Sequence, residues 1–309
     1  MDAHRIGRGL AGMPRPAALV LVAAVYVAAG AVARAVAAAL GAWAPIPRTL
    51  AADVAATLVV FAAATLVRNA SLYDPFWSVA PPVIVAAWAA SEPGDGARSA
   101  IVVALVAVWG VRLTANWATG WRGLGHEDWR YRKLRDVTRG RLPFWVVNLF
   151  GIELMPTLLV FGGLLCAWPA VAQAGRGLGL LDAAAIAVTI AAIAMEAVAD
   201  LQRRAFARDP ANAGRIADRG LWAWSRHPNY VGQIAFWWGL WLFALAADPG
   251  WWWTAAGPLA IVALFVWVSV PMMDARSLAR RPGYSEHMRA VGALIPRRRS
   301  TARRSSAAR

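Results

Sequence analysis

Eight long apolar stretches constrain this chain more than any other feature of its sequence. A helix that crosses a bilayer needs about 20 mainly apolar residues, within a range of roughly 17–25. The third stretch is the shortest, and Pro81 and Pro82 interrupt it. The first follows three arginines but exceeds the roughly 7–15 apolar residues of a signal peptide, so we expect a retained helix. The predicted spans are Ala17–Leu40, Leu50–Val67, Phe76–Ala90, Ala100–Thr119, Leu142–Trp168, Leu178–Ala199, Tyr230–Ala247 and Trp251–Met273.

The composition agrees with these spans and excludes an ordinary soluble domain. Apolar residues make up 59% of the chain and charged residues 16%, and the mean hydropathy is +0.47. A soluble domain carries about 25% charged residues. We therefore predict an all-α fold, a polytopic membrane helix bundle of about eight transmembrane helices in a lipid bilayer.

Basic residues are distributed unevenly between the two sides that the spans define. Of the 32 basic residues, 27 fall on the side that holds both chain ends and 3 on the opposite side. Basic loops stay on the cytoplasmic side of a membrane. We expect both termini to be cytoplasmic and the protein to lie in a bacterial-type inner membrane. The asymmetry also explains the net charge of +15 without a nucleic-acid partner.

The segments outside the spans are short. We expect a cytoplasmic tail over residues 1–16, a single membrane domain over 17–296 and a disordered basic tail over 297–309. The segments Gly120–Arg141 and Leu201–Asn229, and the chain after Asp274, would face the cytoplasm. The four histidines are scattered and Cys166 is the only cysteine, so we predict no metal site.

Polar side chains cluster at the predicted cytoplasmic ends of the last three spans. Glu196 and Asp200 are four residues apart and share one helix face. Pro228 is expected to set a turn, and Gly232 to allow a close approach. Guanidinium groups bind phosphate and carboxylate in a bidentate manner, so the segments predict a site for an anionic cofactor. Its candidate residues are Glu196, Asp200, Arg203, Arg226, His227, Asn229, Tyr230, Asp274, Arg276 and Tyr284.

A second group of polar residues lies in the first half of the chain. Tyr73 precedes the third span, Tyr131 belongs to a polar and aromatic loop, and Glu153 lies well inside the fifth span. Ionisable residues within a membrane are costly and mark functional sites or buried pairs. We expect Arg112 to pair with Glu153, and Tyr73, Tyr131 and Glu153 to be the candidate catalytic acids.

At these residues the chain resembles the steroid 5-alpha-reductase superfamily, and most closely its bacterial branch of unassigned function, the DUF1295 type. The resemblance to that branch covers residues 69–296, and the wider superfamily resemblance covers residues 196–296. It implies a membrane helix bundle whose C-terminal half opens to the cytosol and binds NADPH. The cofactor positions of the reductases then fall on Glu196, Asp200, Asn229, Arg276 and Tyr284. The Arg226-His-Pro segment is also similar to isoprenylcysteine and phospholipid methyltransferases.

Two enzymatic hypotheses follow. The first is a reductase of lipid metabolism that transfers hydride from NADPH to a C=C bond of a sterol-like, isoprenoid or other lipophilic substrate. The second is a lipid or prenyl-cysteine methyltransferase, which would need carboxylates for S-adenosylmethionine. An arginine-rich site suits the three phosphates of NADPH better, so we favour the reductase. A transporter fits less well because the polar groups lie at one membrane face rather than at the midplane.

Overall fold

The computed structural model describes residues 12–92, 94, 96–173 and 177–295, and most of these residues lie in helices. No β-strand forms within these ranges. Residues 1–11 of the predicted N-terminal tail, and all of the predicted basic tail 297–309, lie outside the described residues. The helices are α1 (Arg15–Ala39), α2 (Pro45–Val67), α3 (Phe76–Ser91), α4 (Gly96–Gly120), α5 (Trp129–Thr138), α6 (Phe144–Leu164), α7 (Trp168–Ala172), α8 (Leu180–Arg208), α9 (Pro228–Ala247), α10 (Pro249–Leu278) and α11 (Tyr284–Ala290).

Seven of the described helices are long and apolar enough to cross a membrane, namely α1, α2, α4, α6, α8, α9 and α10. The predicted helical bundle is confirmed, and the chain is an integral membrane protein. The third predicted span folds as α3, but its 16 residues reach only about 24 Å at 1.5 Å per residue. That length is less than the hydrocarbon thickness of about 30 Å. The cytoplasmic location of the termini stays a prediction from the charge asymmetry.

The most extensive contact between helices joins α8 and α9. Gly232 and Gly239 lie on the face of α9 that meets α8. A Cβ atom at Gly232 would lie 2.8 Å from the carbonyl oxygen of Ala192, and one at Gly239 would lie 2.2 Å from Thr189 Oγ1. Small residues allow membrane helices to pack this closely. The close approach expected at Gly232 is confirmed, and it brings Glu196 beside the first turns of α9.

Trp109 connects α4 to α9 in the buried core. Its ring stacks on Phe236 with 4.5 Å between centroids, and Trp237 packs edge-on at 5.4 Å. Its indole N–H also donates to Gln233 Oε1 at 3.0 Å. A buried tryptophan whose ring is packed and whose N–H is hydrogen-bonded is held in one orientation. Arg112, one turn further along α4, is thereby directed toward α8.

Helices α6 and α10 each contain a widened π-helical segment, Val147–Leu154 and Phe265–Ser269. Pro156 and Pro271 follow these segments closely, and a proline removes one backbone donor from the regular helical ladder. Such segments occur often at functional sites. Both border the same internal space, a cavity that Ile152 and Phe265 help to line.

Candidate functional site

Two cavities meet at the N-terminus of α9. Their volumes are about 340 and 310 Å³, and Asn229 and Tyr230 line both. Pro228 is the first residue of α9, where its fixed φ suits the helix start and its missing N–H costs no hydrogen bond. Pro228, predicted to set a turn, instead begins this helix, and the helix start places Asn229 and Tyr230 in the lining of both cavities.

The larger cavity, which we call the basic cavity, has five arginines and two histidines among its lining residues. None of these lining residues is an aspartate or a glutamate. The structure thus brings together seven of the ten residues that the sequence suggested for a cofactor. The lining residues are Arg203, Ile216, Ala217, Trp222, Arg226, His227, Asn229, Tyr230, Met273, Arg276, Ser277, Arg280, Arg281, Tyr284 and His287.

Asp274 lies behind the basic cavity and holds its wall together. The carboxylate accepts hydrogen bonds from Arg226 Nη2 at 2.7 Å and Nε at 3.3 Å. It also accepts from His227 Nε2 at 3.0 Å and from the Tyr284 hydroxyl at 2.7 Å. Three separate segments, the N-terminus of α9, the end of α10 and α11, are therefore joined through one buried carboxylate.

Arg226 lines the basic cavity and also belongs to this network. Its Nη1 donates to the carbonyl oxygens of Met288 and Val291 at the end of α11. Each of its three guanidinium nitrogens therefore has an acceptor within the protein. Both side chains are buried against each other, which suits a positioning role for Arg226 and Asp274; their direct contact with a cofactor stays a prediction.

The chain after α11 completes the wall. The backbone N–H groups of Arg226 and His227 donate to the carbonyl oxygens of Gly292 at 2.9 Å and Ala293 at 3.1 Å. Burial, together with the hydrogen bond to Asp274, raises the pKa of the Tyr284 hydroxyl to about 12. Tyr284 therefore remains a donor to Asp274 at neutral pH, which keeps α11 attached to α10.

Four other arginines line the basic cavity without a carboxylate partner. The guanidinium of Arg276 lies 4.0 Å from the ring centroid of Trp129, and that of Arg203 lies 5.7 Å from Trp222. Arg281 donates to Ser277 Oγ at 2.9 Å, and Arg280 is the fourth. Among the described residues none of these four forms a salt bridge with an aspartate or glutamate. Their charges are therefore available to an anionic ligand.

The smaller cavity, which we call the apolar cavity, lies among the helices and contains both candidate tyrosines, Tyr73 and Tyr131. Arg130 Nη2 donates to Asp74 Oδ1 at 3.3 Å, and the Tyr131 hydroxyl donates to the same oxygen. The remaining lining residues are Trp77, Leu113, Asn116, Ile152, Pro156, Leu159, Val160, Glu196, Asp200, Asn229, Tyr230, Gln233, Trp237, Ile261, Leu264, Phe265 and Ser269.

Burial controls the protonation of these polar groups. It raises the pKa of Asp74 to about 6, although Arg130 and the Tyr131 hydroxyl stabilise the carboxylate. Burial and the nearby Asp74 raise the pKa of Tyr131, and burial raises that of Tyr73. Both phenols are therefore protonated at neutral pH. The Tyr73 hydroxyl lies 2.8 Å from Thr157 Oγ1.

Arg112 pairs with the two acids of α8 and not with Glu153 as predicted. Its Nη2 lies 2.7 Å from Glu196 Oε2, and its Nη1 donates to Asp200 Oδ2 at 2.9 Å. The reason is the packing of α4 against α9, which directs Arg112 toward α8. Glu196 and Asp200 line the apolar cavity, next to Asn229 and Tyr230, and are absent from the lining of the basic cavity.

Glu153 lies apart from the other two candidate acids. Its side chain is fully buried, and Asn148 Nδ2 donates to Glu153 Oε1 at 2.9 Å. It is absent from the lining of the apolar cavity. Of the three candidate acids, the structure therefore places only Tyr73 and Tyr131 where a ligand could reach them.

Three further polar residues in or beside the apolar cavity, Arg130, Thr157 and Asp53, were not predicted. Arg130 belongs to a strongly basic loop, and nothing in the pattern distinguishes it from its neighbours. Thr157 is a small polar residue within a span, and such residues are frequent in membrane helices. Asp53 did carry a signal, because a lone carboxylate within a predicted span is unusual; it is buried beside Tyr73 and Thr157.

Comparisons with known proteins place the chain in a family. The model of a family described as "Protein of unknown function (DUF1295)" matches residues 60–291, which include the lining of both cavities. An uncharacterized protein of Schizosaccharomyces pombe is 25% identical over 266 residues, which cover 77% of this chain and 76% of that protein. No solved structure matches the chain significantly. Since the family model covers most of its length, the chain belongs to the DUF1295 family.

Proposed function

We propose that this protein is a membrane-bound reductase that uses NADPH to reduce a C=C bond in a sterol-like, isoprenoid or other lipophilic substrate. We also propose that it belongs to the wider steroid 5-alpha-reductase superfamily. One observation carries the proposal. An arginine-lined cavity without lining carboxylates meets an apolar cavity that contains Tyr73 and Tyr131, and Asn229 and Tyr230 line both cavities.

The donor groups of the basic cavity fit a ligand with several phosphates. Arg203, Arg276, Arg280 and Arg281 line it, and guanidinium groups match phosphate oxygens in charge and geometry. The volume of about 340 Å³ lies within the range of roughly 300–1,000 Å³ for ligand pockets. S-adenosylmethionine carries a sulfonium and no phosphate, so in this cavity it would meet four arginines without a carboxylate partner and no lining acid. This chemistry favours the dinucleotide.

When bound, NADPH supplies the hydride for the reduction. The four arginines would hold its phosphates, while Arg226 and Asp274 keep the cavity wall in place. Asn229 and Tyr230 would hold the nicotinamide end where the two cavities meet. The apolar side chains, such as Leu113 and Phe265, would bind the lipophilic substrate and exclude water from the site.

The reduction also takes up one proton, and Tyr73 is the best-placed donor. Thr57 Oγ1 donates to the backbone carbonyl of Asp53 and lies 3.0 Å from Thr157 Oγ1, so Thr157 donates to Thr57 and the Tyr73 hydroxyl donates to Thr157. Thr157 is a neutral acceptor, which a substrate carbonyl or carbon could replace. The proton of Tyr131 is instead held by Asp74. A positioned general acid contributes about 10²- to 10⁴-fold in rate. We therefore expect Tyr73→Phe to lose turnover by about that factor while NADPH affinity changes little.

Binding to the two rival cofactors tests the proposal directly. Purified protein in detergent would be titrated with NADPH and with S-adenosylmethionine by calorimetry. We expect NADPH to bind, with an affinity that falls as salt rises because phosphate contacts are screened. NADPH oxidation would then be followed with lipid-soluble enones in mixed micelles. Micromolar binding of S-adenosylmethionine without binding of NADPH would refute the reductase and favour the methyltransferase.

We further propose that the basic cavity faces the cytoplasm of an inner membrane. The basic loops around Arg215 and Arg280 support this orientation. The single cysteine, Cys166, is buried, so Arg215→Cys and Arg280→Cys variants would carry one accessible thiol each. We expect both to be protected from an impermeant thiol reagent in intact cells and labelled after lysis. Labelling in intact cells would show that the basic cavity faces the opposite side of the membrane.

A further inference from the structure

Helix α5 contacts residues of both cavities. Its first three residues are Trp129, Arg130 and Tyr131. Arg130 and Tyr131 line the apolar cavity, whereas the Trp129 ring lies against Arg276, which lines the basic cavity. Trp129 itself is half-buried and lines neither cavity. The ring therefore contacts Arg276 from outside the space that a ligand would occupy.

Trp129 holds the guanidinium of Arg276 without neutralising its charge. The guanidinium carbon lies 4.0 Å from the ring centroid, within the limit of about 6 Å for a cation–π interaction, for which tryptophan is the best partner. Within the described ranges, Arg276 forms no side-chain hydrogen bond and no salt bridge. Arg226, by contrast, is paired with Asp274. The N–H groups of Arg276 are therefore available to a phosphate, while the ring restricts the motion of the long side chain.

Two hydrogen bonds to Asp74 fix the start of α5. Arg130 Nη2 donates to Asp74 Oδ1 at 3.3 Å, and the Tyr131 hydroxyl donates to the same oxygen. Asp74 lines the apolar cavity and is absent from the lining of the basic cavity. Since Trp129 directly precedes Arg130 and Tyr131 in the helix, its position depends on this carboxylate. A chain of contacts thus runs from Asp74 in one cavity to Arg276 in the other.

We propose that α5 links the two cavities, with Trp129 as a positioning residue for Arg276. Trp129 holds the guanidinium where it can meet a phosphate group in the basic cavity, and Asp74 keeps Trp129 in place through Arg130 and Tyr131. The identity of the ligand as NADPH rests on the proposed function, whereas the link itself requires only an anion with phosphate groups. A substitution in the apolar cavity then changes the affinity for an anion in the basic cavity.

Anion binding to the purified protein in detergent tests the link, with inorganic pyrophosphate and NADPH as the probes in calorimetry. Ordering one long side chain on binding changes the affinity by about 2- to 12-fold. Trp129→Leu should therefore weaken the binding of both probes by about that factor, although no charge is lost. Trp145→Leu, which removes an exposed tryptophan of α6, should bind both probes like the parent.

A double-mutant cycle with Arg276 separates positioning from a general effect on the fold. If Trp129 acts through Arg276, Trp129→Leu should weaken binding in the parent and have no further effect in an Arg276→Ala background. A merely structural role of Trp129 would lower the affinity by the same factor in both backgrounds. Thermal unfolding of each variant, measured on the same preparations, shows that the protein is folded.

Asp74→Asn tests the other end of the link, and the direction of its effect is informative. Removing a negative charge by itself strengthens the binding of an anion, whereas loosening the start of α5 weakens it. We expect pyrophosphate to bind at least about 2-fold more weakly, with no such loss in the Arg276→Ala background. The loop before α5 stays attached, because the Asp128 N–H donates to Ser71 Oγ at 2.8 Å. If Asp74→Asn does not fold, Tyr131→Phe, which removes one donor to Asp74 without a change of charge, decides instead.

Three results would each overturn the proposal: parental affinity of Trp129→Leu for both probes, unchanged or tighter binding by the variant at the Asp74 end of the link, and an equal loss of affinity with and without Arg276. Failure of the parent to bind either probe would overturn it as well. If pyrophosphate binds with the expected pattern while NADPH is neither bound nor oxidised, the proposed reductase is refuted and the link through α5 stands.

Discussion

Arg226→Ala should destabilise the folded protein even when no cofactor is present. The substitution removes the guanidinium that pairs with Asp274 at 2.7 Å. Among the described residues, His227 and Tyr284 then remain as the side-chain donors to this buried carboxylate. Breaking a buried ion pair by removing one partner costs about 3–5 kcal/mol. The carbonyl oxygens of Met288 and Val291 lose a donor as well, so we expect a loss toward the upper end of that range.

Unfolding of the purified, cofactor-free protein in detergent measures this loss. Asp274→Ala should be destabilised by a similar amount, because it leaves Arg226 buried without its partner. The double variant should lose less than the sum of the two single losses, since residues of one network are not additive. Arg219→Ala provides the control. It removes an exposed arginine from the same loop and should change stability by no more than about 0.5 kcal/mol.

The opposite pattern would refute the reasoning. If Arg226→Ala unfolds like the parent while NADPH binding weakens by about 10- to 150-fold, the guanidinium contacts the phosphates directly. Arg226 would then be a cofactor ligand, as its position in the sequence suggested, and the bond to Asp274 would contribute little to stability. Measuring stability and affinity on the same preparations distinguishes the two roles.

Three further predictions concern the cofactor, the packing and the effect of pH. Arg276→Ala should raise the dissociation constant of NADPH by about 10- to 150-fold, from a lost contact of about 1.5–3 kcal/mol; calorimetry should show no such change for Arg219→Ala. Gly232→Ala places a Cβ 2.8 Å from the carbonyl oxygen of Ala192 and should cost about 1–3 kcal/mol of stability in detergent unfolding, as overpacking does; an unchanged stability would contradict the close packing. Because burial raises the pKa of Asp74 to about 6, the folded protein binds the Asp74 proton more tightly than the unfolded chain. Its contribution to stability is complete below the ordinary pKa near 3.8 and is lost as the pH rises through about 6. Asp74→Asn should remove this loss from unfolding curves measured between about pH 4 and 7.

Much of the fold could be predicted because a membrane imposes a strong local pattern. A membrane-spanning helix must be apolar over most of its length and must form its backbone hydrogen bonds within itself. Each spanning helix can therefore be predicted from its own stretch of sequence. The predicted third span was the exception in length. Pro81 and Pro82 marked it as unusual, and α3 has only 16 residues.

The partners of the polar residues were much less predictable. Arg112 was expected to pair with Glu153, since both lie within spans, yet it pairs with Glu196 and Asp200. Arg226 looked like a phosphate ligand, yet its guanidinium is held by Asp274 and the end of α11. In both cases the sequence identified a charged side chain that needed a partner. Which partner it meets depends on how each helix is rotated about its axis against its neighbours, and the sequence pattern did not indicate that rotation.

The sequence by itself determined that the chain is a membrane helix bundle, and it located the polar segments at the helix ends. These properties depend on hydropathy and charge along a continuous stretch, which the order of residues specifies directly. Only the tertiary structure decided that those segments form two cavities joined at Asn229 and Tyr230, with five arginines in one and Tyr73 and Tyr131 in the other. The physical reason is that the cavities depend on the helix rotations set by side-chain packing, such as Trp109 against Phe236 and Gly232 against α8. Those contacts join residues far apart in the chain, so their geometry exists only once the helices have packed.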